Sequence, residues 1–223
     1  MNIKLFIEAL LKFLLGIILI SLLIFIPANT IKYWNGWLFM GLLFIPMFIA
    51  GIIMMIKSPN LLKSRLDLKE KESEQKSVVV LSGIMFLVGF VIAGLNYRFN
   101  WIQLPNIVVI VASIIFLLSY ILYAEVLREN EFLSRTIEVQ KNQKVIDTGL
   151  YGIVRHPMYF ATTFLFLSMP LILGSFISFI IFLVYPFIII KRIKNEEQVL
   201  EKELKGYKEY KKKVKYKMIP FVW

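Results

Sequence analysis

The chain has 223 residues, 58% of them hydrophobic and only 18% charged. A soluble domain averages about 45–50% apolar and about 25% charged residues. Here the surplus lies in uninterrupted blocks of membrane length, which excludes an ordinary soluble globular fold. The absence of cysteine excludes disulfides, thiolate metal sites and cysteine nucleophiles, and one histidine cannot build a histidine-rich metal centre. The net charge of +11 sits beside the apolar blocks, so it points to anionic lipid headgroups rather than nucleic acid.

The first apolar block spans residues 3–27. No Ala-x-Ala cleavage site follows it, so it reads as a retained membrane span rather than a removable leader. Glu8 and Lys12 stand four residues apart near its start and can pair on one helical face. Further spans are expected at 36–56, 77–97 and 105–125, each long enough to cross a hydrocarbon core of about 30 Å at about 1.5 Å per residue. Pro27, Pro59 and Pro105 mark span boundaries, where a missing amide donor is harmless. Two shorter blocks, 158–173 and 176–190, flank Leu173-Gly174-Ser175 and predict a tight helical hairpin that stops short of the far face.

Basic residues set the orientation. The 57–76 connection carries Lys57, Lys63, Arg65, Lys69, Lys71 and Lys76; the 126–157 stretch carries Arg128, Arg135, Lys141, Lys144 and Arg155; the tail from Lys191 is richest of all. The connections between them hold only Lys32 and Arg98 as cations. Six crossings put every basic segment and both termini on one side, which the positive-inside rule makes cytoplasmic. Trp34, Trp37, Tyr97 and Trp101 fall near the other interface, where amphipathic rings prefer to sit. From Lys191 to Lys213, Ile193, Val199, Leu200 and Leu204 alternate with charges and predict an amphipathic helix on the membrane surface. The apolar end Met218–Trp223 is expected to tuck against the bundle. The fold expected is therefore an all-α polytopic membrane bundle: about six membrane helices, the last two a short hairpin, plus a cytoplasmic C-terminal amphipathic helix. Residues 1–125 form the N-terminal spans and 126–223 the part that carries chemistry, in one integrated domain.

Chemistry concentrates at Arg155-His156-Pro157-Met158-Tyr159, where a cation, the single histidine and a ring meet at the mouth of the hairpin. Ionisable groups at a membrane edge are costly and by default mark function. Proline after His156 forces that residue out of helical geometry and frees main-chain groups locally. If one arm of the hairpin goes up and the other comes down, Glu196 and Glu197 return close to Arg155. Each feature has a bland alternative: Arg155 snorkelling to phosphate, His156 capping a helix, the glutamates on a solvated face. The turn Asp147-Thr148-Gly149-Leu150-Tyr151-Gly152 reads equally as a re-entering loop or as the rim of a ligand site.

The ordered run from Val145 to Tyr159 resembles the isoprenylcysteine carboxyl methyltransferase family. So do the later Leu173-Gly174-Ser175, Arg192, Glu196-Glu197, Leu200, Gly206, Tyr207, Tyr210 and Pro220. That family shares a membrane fold with the phospholipid N-methyltransferases. The resemblance covers about residues 125–223. Upstream, Arg128–Ser134 and Ile137–Gln140 are similar to its bacterial branch, and the first hundred residues match only as generic spans. The resemblance implies methyl transfer from S-adenosylmethionine to a lipophilic small-molecule or lipid acceptor, a carboxylate, at a bacterial cytoplasmic membrane. It further implies that Tyr151, His156, Pro157, Tyr159, Glu196, Tyr207 and Tyr210 bind the cofactor, that Arg155 and Glu197 act on the reacting groups, and that no metal is needed. The N-terminal spans then form the acceptor side. Methylation of a phospholipid or other amine, a nicotinamide-dependent membrane reductase and a non-catalytic lipid-docking protein are the alternatives.

Overall fold

The computed structural model describes residues 3–66, 73–134 and 136–223. Lys69, Lys71 and Arg135, three of the basic residues that set the orientation, lie outside the described residues. The chain forms an all-α bundle. Helices α1 (Ile3–Ala28), α2 (Trp34–Lys57), α4 (Ser73–Phe99) and α5 (Asn106–Glu129) are the long members, and α3 (Pro59–Leu66) is a two-turn helix between α2 and α4. A 3₁₀ turn at Gly149–Gly152 precedes α6 (Pro157–Ile172), α7 (Phe176–Phe182), α8 (Tyr185–Glu203) and α9 (Tyr207–Lys213). Among the described residues, five stretches are long and apolar enough to cross a membrane: 3–28, 34–57, 75–99, 106–129 and 176–203. Their outward faces are hydrocarbon, with Leu15, Ile18 and Leu19 on α1 and Leu118 and Ile121 on α5 all exposed. Exposed leucine and isoleucine of this extent fit lipid as the surrounding solvent.

One core joins α1, α2 and α4 to α8. Ile24 of α1, Phe39 of α2, Phe90 of α4, Phe116 of α5, Leu165 of α6, Phe182 of α7 and Ile189 of α8 belong to a single buried cluster. The tightest approach is at Gly89, where an added Cβ would collide with the ring of Phe182, so α4 and α7 meet only because that residue has no side chain. The expected Glu8–Lys12 pair forms at 2.6 Å, and Lys12 also donates to the Leu66 carbonyl (2.7 Å), which ties α1 to the end of α3.

The hairpin departs from expectation at its tip. At about 1.5 Å per residue, the sixteen residues of α6 are shorter than a hydrocarbon core. The tip nonetheless reaches the connections at the far end of the bundle, because those connections fold onto it. Tyr33 donates to the Leu173 carbonyl, Asn35 donates to that of Ile172 (3.0 Å), and the Leu104 amide donates to that of Gly174 (3.1 Å). Carbonyls that end a helix inside apolar surroundings need such partners. Gly174 itself turns at φ +71°, a left-handed conformation that glycine adopts without cost.

The amphipathic segment is likewise not a separate surface helix from Lys191. It continues from the membrane arm: α8 begins at Tyr185, with Pro186 in its first turn, and runs unbroken to Glu203. Gly206, at φ +88°, then redirects the chain into α9. Met218 joins the main core and Trp223 packs beside it, while Phe221 and Val222 stay exposed, so the tail tucks in through two of its six last residues.

Candidate functional site

Helix α8 explains why the site lies where it does. Tyr185, Ile189, Ile193 and Glu197 follow one another at four-residue steps and are all buried. Residues four apart on a helix share a face. The buried stripe is therefore apolar through the bundle and changes to a carboxylate where the helix leaves it. A neighbouring stripe, Arg192, Glu196 and Leu200, also at steps of four, faces a cleft. The opposing wall comes from the start of α6, whose Pro157 occupies the first helical position and keeps His156 out of helical geometry (φ −128°, ψ 61°).

The hairpin brings the two polar ends together. Arg155 Nε donates to Glu197 Oε1 (2.7 Å) and His156 Nε2 lies 3.3 Å from the same oxygen, all three residues being buried. Tyr159 donates to Glu196 Oε2 (2.5 Å) and accepts from Arg192 Nε (2.9 Å); Arg192 Nη1 continues to the buried Gln75 of α4 (3.3 Å). His156 Nδ1 is 4.0 Å from Glu196 Oε1. Lys211 and Lys217 stand 3.6 and 4.0 Å from Glu197 Oε2, so this carboxylate is the shared counter-ion of four groups. A buried charge is tolerable only with such pairing.

The main-chain donors freed before Pro157 are taken by the C-terminal tail. The Arg155 amide donates to the Tyr216 carbonyl (3.0 Å) and the His156 amide to that of Lys217 (2.7 Å). Arg155 Nη1 reaches the carbonyls of Val214 (2.6 Å) and Lys215 (2.8 Å). A second clip closes the other side: Tyr210 donates to the Tyr151 carbonyl (2.7 Å), Asn130 donates to the Tyr151 hydroxyl (3.1 Å), and Lys213 pairs with Asp147 (2.7 Å). Gly149, at φ +55°, lies against Glu129, whose carboxylate accepts from the Leu150 amide at 2.9 Å; a Cβ at Gly149 would overlap that carboxylate.

These walls enclose a cleft with about 810 Å³ of empty space, its open mouth included. Of the residues predicted from sequence, Tyr151, Arg155, His156, Tyr159, Glu196, Tyr207 and Tyr210 line it. Pro157 and Glu197 do not. Pro157 shapes the start of α6, and Glu197 lies behind the wall, holding Arg155 and His156. Tyr207 lines the cleft, and its buried hydroxyl has no hydrogen-bond partner among the described residues. Burial, and then the charges of Glu197 and Glu196, push it above the ordinary phenol range, so it stays protonated and able to donate.

Sequence reasoning missed the third wall. Asn130, Ser134, Thr136, Glu138, Gln143 and Val145 also line the cleft. They come from a segment without regular structure, where no periodicity exists to reveal a shared face. Arg192 was missed as a site residue although a signal was present, since it stands one four-residue step before Glu196.

One comparison with known proteins falls largely on this region. The sequence model of the phospholipid methyltransferase family matches residues 105–206, from the start of α5 to the turn before α9, which supports a membrane methyltransferase. The chain is also 30% identical over 91 residues to Delta(14)-sterol reductase TM7SF2 of Mus musculus, a stretch that is 40% of this chain and 22% of that protein. The match thus spans about a fifth of the relative's length.

Proposed function

We propose that the protein is an integral membrane methyltransferase that takes its methyl group from S-adenosylmethionine and passes it to the carboxylate of a lipophilic acceptor. The observation that carries this reading is the cleft itself. It lies within and beside the family-matched segment, and Tyr207, Glu196 and His156 all line it.

The lining fits the cofactor's chemistry. Its sulfonium and ammonium are cationic and suit Glu196 and Glu138, while its carboxylate suits Arg192 or Lys144. Its base and ribose suit the tyrosine faces and the amides of Asn130 and Gln143. Tyr151, His156, Tyr159, Glu196, Tyr207 and Tyr210 are the residues that would hold it. When bound, the cofactor supplies an electrophilic methyl group. The chain's own residues align the acceptor and exclude water, contributions worth up to roughly 7–11 kcal/mol in favourable cases. A carboxylate acceptor is already nucleophilic and requires orientation rather than a base. Arg155 and Glu197 act in this scheme as positioning residues, since both are committed to each other and to the tail.

Titration calorimetry with S-adenosylmethionine on the detergent-solubilised protein tests the proposal. Saturable one-site binding, weakened by His156→Ala, is the expected result, and no heat from folded wild type would sink it. A phospholipid amine is the second acceptor reading, favoured by the family match and by Glu196, the partly accessible member of the pair, which can accept an ammonium proton. Turnover with phosphatidylethanolamine and none with long-chain carboxylates would decide for it. The relative's name raises a reductase reading of the same cleft, and binding of NADPH in place of S-adenosylmethionine would establish it. The concentration of Lys and Arg at the site end of the bundle supports both termini lying in the cytoplasm.

A further inference from the structure

Arg65 on α3 lies outside the family-matched residues, yet its guanidinium reaches the edge of the cleft. Nη1 donates to the Ser134 carbonyl (3.1 Å) and lies 3.9 Å from Met158 Sδ; Ser134 and Met158 both line the cleft. Nη2 hydrogen-bonds the Tyr123 hydroxyl on α5, and the group sits over that ring at 5.6 Å. Arg65 is half-buried, but no carboxylate pairs with it among the described residues. Two other arginines near this end differ: Arg128 is held by Glu125 (2.5 Å) and Arg155 by Glu197. Among the described residues, all the partners of Arg65 are neutral, and part of its donor fork has none. A partly desolvated guanidinium is the side chain best shaped to bind carboxylate or phosphate oxygens.

Its place in the fold supplies the rest of the argument. Helix α3 follows directly from the membrane span α2 and buries Leu61 and Leu62 against the bundle, with Leu62 packed beside Leu5 and Met55. Arg65 is thus held where hydrocarbon-facing helix gives way to the polar cleft. A molecule with its tail in the bilayer and its head directed at the cleft would present that head to this side chain. We propose that Arg65 binds the anionic oxygens, carboxylate or phosphate, of a membrane amphiphile, and so selects the acceptor by charge. The inference rests on the methyltransferase reading only for what happens to the amphiphile afterwards.

The test uses the full chain in neutral detergent. Binding of oleate, dodecyl phosphate and the uncharged oleamide is measured by calorimetry for wild type, Arg65→Gln, Arg65→Lys and the control Arg98→Gln. Each titration is run with and without S-adenosylmethionine. Wild type is expected to prefer an anionic probe over oleamide at least tenfold. Arg65→Gln should reduce that preference to within about twofold, Arg65→Lys should keep most of it, and Arg98→Gln should keep all of it. Whether oleate or dodecyl phosphate binds tighter identifies the headgroup. No charge preference in wild type, or one that survives Arg65→Gln, overturns the proposal, as does a parallel loss of S-adenosylmethionine affinity in Arg65→Gln, which would make the residue a structural strut. Failure of S-adenosylmethionine to bind wild type while the amphiphile preference stands would sink the methyltransferase reading and leave Arg65 as an anion site.

Discussion

The two ends of helix α8 illustrate two ways of stabilising one chain. Through the bundle, its buried face is Tyr185, Ile189 and Ile193, packed against aromatic and aliphatic side chains with few polar links. Beyond Ile193, the same face presents Glu197, and nearly every neighbour is a charge or a main-chain group of the tail. Apolar packing is tolerant, because a smaller side chain loses contacts in proportion to its size. A buried ionic network is not tolerant, because removing one member leaves the others desolvated and unpaired. Function belongs at the second kind of place: it is rigid, polar and partly open, whereas the first is closed.

The largest expected effect follows from that contrast. Glu197→Ala leaves Arg155 buried without its counter-ion and should cost about 3–5 kcal/mol. It is read as a fall in the thermal midpoint of the detergent-solubilised protein. Leu15→Ala, on the lipid-facing side of α1, should leave the midpoint nearly unchanged. The double variant Arg155→Met, Glu197→Leu removes both charges and should recover part of the loss in midpoint. A Glu197→Ala protein as stable as wild type would show that the network is not what holds this end together.

The next effect separates binding from stability. Glu196 is the partly exposed carboxylate and accepts from Tyr159. A hydrogen bond to an ionised group contributes about 1.5–3 kcal/mol, so Glu196→Gln should weaken S-adenosylmethionine roughly ten- to hundredfold, with a smaller change in midpoint than Glu197→Ala. If Glu196→Gln instead destabilises as much as Glu197→Ala and leaves affinity alone, the two glutamates have the opposite roles.

The division between the two regions also governs how much could be read before the structure. Spans and hairpin were legible because apolar runs and Gly-Ser or proline boundaries are local signals, and α1, α2, α4, α5 and α6 fall within a few residues of them, whereas the short α3 within the basic 57–76 connection was not foreseen. The return of Glu196-Glu197 to His156 was legible as well, because two arms of similar length must come back to their start. The split between the glutamates was not. Two adjacent residues on a helix point about 100° apart, and only the stripe Tyr185–Ile189–Ile193–Glu197 reveals which one faces inward. The tail's role at Arg155 and His156 was hidden too, since main-chain bonds from Tyr216 and Lys217 carry no side-chain signature.

Tyr207 gives an effect of opposite sign on the two measurements. The residue lines the cleft, its buried hydroxyl has no partner among the described residues, and an unsatisfied buried polar group costs about 1–3 kcal/mol. Tyr207→Phe should therefore leave the protein as stable as wild type or more so. Ligand affinity should fall roughly threefold to tenfold, the range of one neutral hydrogen bond. A loss of stability would mean the hydroxyl already has a partner in the folded protein, and the cleft would lose its strongest mark of an intended polar ligand.

The smallest effect concerns the outermost clip. Lys213 hydrogen-bonds Asp147 and holds its carboxyl below the ordinary range. A carboxyl whose folded value is lowered stabilises above its unfolded value and loses that contribution as pH falls through the folded one. The Asp147–Lys213 clip therefore operates above about pH 4 and fades below it. Both groups are largely exposed, so solvent screens the pair, and exposed pairs contribute little. Asp147→Asn should thus be indistinguishable from wild type in midpoint at neutral pH and differ only by a slightly flatter acid limb in a pH series. A large effect at pH 7 would mean that this surface pair, and not the Tyr210–Tyr151 bond beneath it, fixes α9 over the Gly149–Gly152 turn. The boundary between the tolerant and the intolerant regions would then lie further out than the buried carboxylate places it.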